Sequence, residues 1–188
     1  MIMRLGLGLI VVATLLGVAT VKPRGYRNEE FGIALPVPRG ILLCPIREDR
    51  SDHGPHFLLG AAGVKSCSDF GKTRFIDIFA SYNAVDATKK LHDFLTSICT
   101  DVGGGPCVQA PAGLSIKGLR SAAARVNRSD GWIDIIVVAQ GGKPDPAFDP
   151  TIPSINYDLS LHTRPENLEE DLRVFRSVLQ TVQLRPAQ

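Results

Sequence analysis

The segment Asp52-His53-Gly54-Pro55-His56 brings two imidazoles and a carboxylate close together in the sequence. Such groups can bind zinc or similar ions, and they can also transfer protons. Pro55 favours an extended turn, however, so the spacing does not place both rings on one helix face. No third strong ligand lies nearby, and a solvated turn or a contact with a partner are the other interpretations. We predict no metal site, and we take Asp52, His53 and His56 as candidate partner-binding residues.

Two other short motifs resemble catalytic patterns but lack an essential residue. Gly71-Lys72-Thr73 ends like a phosphate-binding loop, yet Ser66 stands where that loop needs its first glycine. Around Ser115, Lys117 takes the place of the second glycine of a nucleophile elbow. We therefore predict no cofactor, no catalytic residue and no enzyme activity. A hydrolase whose residues converge only in space is the alternative.

Trp132 and two aspartates stand out in otherwise apolar strands. Trp132 opens a strand directly after a turn, where an aromatic ring either covers a core or presents a binding hot spot, so it joins the candidate partner-binding residues. Asp77 and Asp134 must be paired or face solvent, because an unpaired buried carboxylate is costly. The arginines available as partners are Arg74, Arg120 and Arg125.

The N-terminus has the order of charges and apolar residues found in export signals. Residues 1–4 carry one positive charge, and 17 uncharged residues follow, from Leu5 to Val21. Small residues at Gly17 and Ala19 predict a signal peptide over residues 1–19. The alternative is an uncleaved membrane anchor at residues 5–21, which as a helix would span about 26 Å. Either way the rest of the chain lies outside the cytoplasm, in the periplasm or the extracellular space.

The four cysteines fit an oxidising compartment. Cys44, Cys67, Cys99 and Cys107 form an even set that allows three disulfide connectivities. The segment between Cys99 and Cys107 is rich in glycine and can close a short loop, so we favour Cys99–Cys107 with Cys44–Cys67. The spacing does not resemble a zinc ribbon.

Composition and periodicity indicate one folded domain. The 188 residues are 44% apolar and 21% charged, with a net charge of +2 and no long run of one sign, so a nucleic-acid partner is not expected. After a short linker and strand entry at residues 20–30, residues 31–188 alternate strands with two amphipathic helices. The predicted helices cover residues 84–99 and 165–182, and an antiparallel hairpin turns at Arg128–Gly131. This order predicts an α+β fold.

Several residues at the two ends of the chain carry a resemblance to a known family. They are Tyr26 to Ile33, Tyr157 to Leu161, Phe175, Val178, Leu179 and Val182 to Leu184. With this order of strands and helix, both ends, about a third of the chain, resemble PsbP-like domains. The resemblance implies an α/β/α sandwich in which an antiparallel sheet is flanked by helices, and a domain that binds partners.

These observations lead to a functional expectation. We expect an exported, non-enzymatic binding protein of the cell envelope, most concretely an inhibitor or immunity-type protein that blocks a protein partner. The contacts would come from Trp132 and the loops Arg47–Pro55 and Gly141–Pro153. The alternatives are a metal-dependent or hydrolytic envelope enzyme that uses Asp52, His53 and His56, and a membrane-tethered structural or accessory component.

Overall fold

The structure, a computed structural model, describes residues 25–37, 41–48, 51–60, 66–69, 73–83, 90–102, 105–145, 147–148 and 151–186. The described part contains nine strands and two α-helices. The strands are β1 Gly25–Asn28, β2 Ile33–Pro36, β3 Leu42–Glu48, β4 Ser51–Leu58, β5 Phe75–Tyr82, β6 Val108–Gln109, β7 Ser121–Asn127, β8 Ile133–Gln140 and β9 Ile155–Thr163. The helices are α1 Leu91–Asp101 and α2 Leu168–Thr181, with short 3-10 turns at Cys67–Asp69 and Pro165–Asn167.

Seven strands form one antiparallel sheet in the order β3-β4-β5-β9-β8-β7-β6, and β1 and β2 form a separate ribbon. The predicted hairpin is confirmed, since β7 pairs with β8 on either side of the turn at Arg128–Gly131. β8 is buried on both faces because one helix packs on each side of it, as its nearly continuous apolar run predicts. The architecture is therefore the predicted α+β sandwich.

The larger core lies between the sheet and α2. Alternate residues of β5, β8 and β9 point to this side, because side chains of a strand alternate between its faces. Leu172, Phe175 and Leu179 of α2 pack against them, and the β1–β2 ribbon adds apolar side chains of its own. Each fully buried side chain of this size stabilises the fold by about 1.5–3 kcal/mol. Helix α2 is also bound at its start, where Asp171 accepts a hydrogen bond from Arg74 Nη1 at 2.8 Å.

The other helix, α1, covers only part of the opposite face of the sheet. Leu95 and Cys99 pack on Ala124, Val126, Ile136 and Val138, which belong to β7 and β8. The helix begins at Leu91, and Lys90 before it is extended, so the predicted helix over residues 84–99 is not continuous. Asn83 donates a hydrogen bond to Ser154 Oγ at 3.0 Å. Residues 84–89 lie outside the described residues.

The predicted loop Arg47–Pro55 is a hairpin instead. Strand β3 extends to Glu48 and β4 begins at Ser51, so all but two residues of this segment belong to paired strands. A register shift between Ile46 and Arg47 accommodates the irregular pairing. The paired residues of this segment belong to a hairpin at the edge of the sheet, where a polar composition is compatible with pairing.

Both favoured disulfides are confirmed. Cys44 is bonded to Cys67, and Cys99 is bonded to Cys107, each with a Cα–Cα distance of 5.7 Å. Disulfides persist in oxidising compartments, so the two bridges are consistent with an exported protein. The predicted signal peptide, residues 1–19, and the alternative anchor, residues 5–21, lie outside the described residues. No helix in the described ranges has the length and apolar character needed to cross a membrane.

The described part of Gly141–Pro153 has no helix or strand, as its prolines predict. It is attached to the C-terminal tail, because the amide of Gly142 donates to the carbonyl of Arg185 at 3.2 Å. Phe148, in contrast, is 51% exposed. This crossing connection therefore has a fixed base and one exposed ring.

Candidate functional site

Asp52 is part of a hydrogen-bond network that holds the β1–β2 ribbon against β4. Its Oδ1 accepts a hydrogen bond from the Tyr26 hydroxyl at 2.8 Å and another from the amide of Gly54 at 3.0 Å, and Asn28 donates to its carbonyl oxygen. Burial and the nearby Asp52 carboxylate raise the pKa of Tyr26 well above its usual value. The contacts of Asp52 are thus internal.

His53 is also occupied by internal contacts. Its Nδ1 lies 2.8 Å from the carbonyl oxygen of Ala80, and its ring stacks on Phe79 and tilts against Phe31. Gly54 follows with φ +137°, a conformation that favours glycine, and brings the backbone of β4 against that of Ile78. These contacts therefore hold the His53 ring away from other side chains that could bind a metal ion together with it.

His56 points to a different place and pairs with a carboxylate. It lies opposite Asp77 in the β4–β5 ladder, and its Nδ1 is hydrogen-bonded to Asp77 Oδ1. The side chains are 14% and 20% exposed, respectively. Burial raises the pKa of Asp77, and the hydrogen bond from His56 opposes that effect.

A second pair of this kind lies two strands away. Nδ1 of His162, on β9, is 2.6 Å from Oδ1 of Asp134 on β8, and both side chains are less than one-tenth exposed. Arg128 Nη1 lies 3.7 Å from the other oxygen of Asp134. The partners of the two strand aspartates are thus two histidines and Arg128, so the predicted pairing with Arg74, Arg120 or Arg125 is wrong. Arg74 instead binds Asp171.

Four side chains form a continuous stack along the edge of this region. The Arg164 guanidinium lies 3.9 Å from the centre of the Trp132 ring, Trp132 stacks on His162 at 4.2 Å, and His162 stacks on Phe75 at 4.7 Å. The rings of His56 and Phe75 make an edge-on contact, with 6.1 Å between their centres. We call Arg164, Trp132, His162 and Phe75 the ring stack. Two of the four predicted contact residues belong to this arrangement. Trp132 is a member of the ring stack, and His56 contacts its Phe75.

The ring stack borders a surface that α1 leaves partly open. Most residues of β5 and β9 that point away from α2 are partly exposed, and His162 is the buried exception, whereas most of their neighbours toward α2 are buried. We call this surface the half-buried face. Its members are Phe75, Asp77, Phe79, Asp158 and Ser160.

Asp158 lies in the middle of the half-buried face. It is directly opposite Phe79 of β5 and Val138 of β8. Its Oδ1 is buried, and no hydrogen bond to Asp158 is found among the described residues. Burial raises the pKa of Asp158 to about 7, and the negative charges of Asp77 and Asp134 add to that effect.

The described residues of this face form neither a hydrolytic triad nor a group of metal ligands. His56, Asp77 and Ser160 are consecutive partners across β4, β5 and β9, so the carboxylate lies between the imidazole and the hydroxyl. A hydrolytic triad needs the imidazole in the middle. Among the residues that the structure describes, no three His, Cys, Asp or Glu side chains are grouped so that they could bind a metal ion.

Comparison with known proteins defines the class of this fold. No protein-family model matches the sequence, and no curated protein matches it. The solution structure of cyanobacterial PsbP (CyanoP) from Synechocystis sp. PCC 6803 superposes with a TM-score of 0.51 over 89% of this chain and 95% of that chain. The two sequences are 13% identical, so the likeness concerns the fold. The fold is PsbP-like, as the two ends of the sequence suggest.

Sequence reasoning identified part of this site and missed its centre. His56 and Trp132 border the half-buried face, and His53 touches it by stacking on Phe79, whereas Asp52 lies in the network beside β1. Asp158 was missed because it occupies a polar position of an alternating strand, which predicts solvent exposure. Its one distinguishing signal is that it lies on the same face of the sheet as Asp77 and Asp134, and that placement requires the strand register.

Proposed function

We propose that this protein is an exported binding protein of the cell envelope that uses the half-buried face to bind a protein partner. The observation that carries the proposal is the ring stack beside partly exposed apolar and acidic side chains. Tryptophan and arginine are the residues that most often dominate binding energies at interfaces, particularly where neighbouring groups hold them rigidly. Trp132 is held by Arg164 on one face and by His162 on the other.

The shape of the face supports a macromolecular partner. Helix α1 covers β7 and β8 and forms a wall along one side, and the exposed part of β5 and β9 lies next to it. Phe75 and Phe79 supply partly exposed apolar surface, and Asp77 and Asp158 supply polar groups beside it. This mixture of a partly apolar centre and polar neighbours is typical of protein interfaces.

The concrete form of the proposal is an inhibitor or immunity-type protein that blocks an enzyme acting on the envelope, in the periplasm or the extracellular space. The disulfides and the predicted export signal support an extracytoplasmic location. The absence of a nucleophile–base contact among the described residues of the face favours binding over turnover.

The test begins with the exported protein in its own cells. A tagged full-length chain is cross-linked and captured from the envelope, the bound protein is identified by mass spectrometry, and the purified pair is studied by calorimetry. Ser160→Arg places a large side chain on the half-buried face, and Ser177→Arg makes the same change on the exposed side of α2. We expect Ser160→Arg to weaken binding at least about tenfold, or about 1.4 kcal/mol, and Ser177→Arg to leave it unchanged.

The inhibitor form predicts one more result. The captured partner is an enzyme, and its activity falls as the purified protein is added up to an equimolar amount. Repeated captures without a specific partner would refute the proposal, as would equal affinities of the two arginine variants.

A further inference from the structure

The acidic groups on and beside the half-buried face differ in whether a basic side chain already accompanies them. Asp77 is paired with His56, and Asp134 is paired with His162 and lies near Arg128. Asp158 has no such partner among the described residues, although both other carboxylates are near enough to raise its pKa. A positively charged group would therefore complement this part of the face.

Apolar side chains lie beside the same carboxyl group. Phe79 is directly opposite Asp158 on β5, which places their Cβ atoms about 5 Å apart, and Phe79 is partly exposed. Phe75 is two positions further along the same face of β5. A cation beside Asp158 would thus meet a carboxylate and the face or edge of an aromatic ring, and the two interactions reinforce each other.

The geometry also selects the kind of cation. Oδ1 of Asp158 is buried, so a ligand can reach at most one of the two carboxyl oxygens. A guanidinium binds a carboxylate best through both oxygens, whereas an ammonium needs only one. A metal ion would need further ligands, and no group of three is present among the described residues.

We propose that Asp158 and Phe79 form a recognition site for a primary ammonium group, supplied by a lysine side chain of the partner. This inference rests on the proposed function, because it names the chemistry by which the half-buried face recognises its partner. When the ammonium enters, the Asp158 carboxylic acid loses its proton to the solvent, and the resulting carboxylate pairs with the ammonium. Binding is accordingly stronger at alkaline than at acidic pH.

Several titratable and charged groups around Asp158 and Phe79 contribute to this pH dependence. Asp77 and Asp134 act on Asp158 directly, and they are paired with His56, His162 and Arg128. His53 stacks on Phe79. Comparison with Asp158→Asn separates the titration of Asp158 from theirs, because the asparagine variant keeps all the other groups.

The test uses small probes and the full-length protein labelled with ¹³C at aspartate carboxyls. N-acetyl-lysine methylamide is titrated against the wild type and Asp158→Asn, and N-acetyl-norleucine methylamide serves as a probe of similar length without the charge. Asp101→Asn is the matched control, because Asp101 is exposed on α1. We expect a saturable shift of the Asp158 carboxyl signal with the lysine probe in the wild type and a saturable perturbation of the same affinity in Asp101→Asn. In Asp158→Asn, binding is lost.

The pH dependence gives a second readout. The affinity of the wild type for the lysine probe should be about tenfold lower at about pH 6 than at about pH 8, because the carboxyl is then mostly protonated. Binding that persists in Asp158→Asn, equal binding of the norleucine probe, or no saturation at about 100 mM probe would overturn the inference.

The two proposals can fail separately. A partner that is lost in Ser160→Arg, together with no binding of the lysine probe, retains the proposed function and overturns the ammonium site. Binding of the lysine probe through Asp158 in a protein that captures no partner retains the ammonium site and overturns its assignment to a protein's lysine.

Discussion

Nδ1 of His162 lies 2.6 Å from Oδ1 of Asp134, and the two residues are direct partners across the β8–β9 ladder. Trp132 and Phe75 cover the two faces of the same imidazole. The pair therefore sits at the point where the sheet, the turn at Arg128–Gly131 and the ring stack meet. Its contribution to stability can be measured by removing the carboxylate.

We expect Asp134→Ala to lower the free energy of unfolding by about 2–4 kcal/mol. The change leaves the buried Nδ1 of His162 without its acceptor and deprives Arg128 of a nearby charge. Asp134→Asn keeps an acceptor and should cost less. Chemical denaturation measures both, with the exposed Asp101→Ala as the control. Equal stabilities of Asp134→Ala and Asp101→Ala would contradict this role for the pair.

Asp158→Asn should change the dependence of stability on pH. The pKa of Asp158 is about 7 in the folded protein, above its value in the unfolded chain, so the folded state holds a proton that the unfolded state has released. This stabilisation is complete below the unfolded pKa and is lost as the pH rises through about 7. The asparagine variant should therefore gain on the order of 2 kcal/mol relative to the wild type between about pH 5 and pH 8. Parallel profiles of the two proteins would show that Asp158 titrates normally.

Asp171→Ala should loosen the start of α2. Asp171 is 2% exposed, and its carboxylate accepts hydrogen bonds from Arg74 and from the hydroxyl of Thr163. Loss of a buried ionic partner costs about 3–5 kcal/mol, because the remaining charge is left without compensation. Glu170→Ala, at the exposed neighbouring position, should change stability by less than about 0.5 kcal/mol. A thermal unfolding comparison of the two variants would disprove this assignment if their midpoints coincide.

Gly54→Ala should be among the most damaging small substitutions in the protein. A Cβ at Gly54 would lie 1.8 Å from the carbonyl oxygen of Ile78, and the residue has φ +137°. We expect a loss of at least about 3 kcal/mol, since both the backbone conformation and the neighbouring strand must change. Gly118→Ala, with φ +81° and no atom within 4 Å of the added Cβ, should cost only about 1 kcal/mol. Similar stabilities of these variants would refute the close approach of β4 and β5.

The periodic segments of this protein were predictable because their signals are local. Strand β9 alternates apolar and polar residues and is buried on one face as predicted, and α2 carries its apolar residues at helical spacing. The disulfide between Cys99 and Cys107 was predictable for a similar reason, since a short glycine-rich segment allows its ends to meet.

The hairpin of β3 and β4 was not predictable from the same kind of signal. The segment from Arg47 to Pro55 has the composition of a loop, and its pairing depends on the neighbouring strand β5. Helix α1 begins only at Leu91, and Lys90 before it is extended. The helical spacing of apolar residues begins earlier in the sequence, so it does not show where the helix starts.

The sequence by itself determined the fold class, the order of the main elements and the residues that can be buried. Hydrophobic periodicity and cysteine spacing carry this information, and both can be read from short segments of the chain. The tertiary structure decided which polar residues meet. Asp52 and His56 are four positions apart but face different neighbours, whereas Asp158 and Phe79 meet from strands far apart in the sequence. The register between strands brings such residues together, and register is fixed by the packing of the whole sheet.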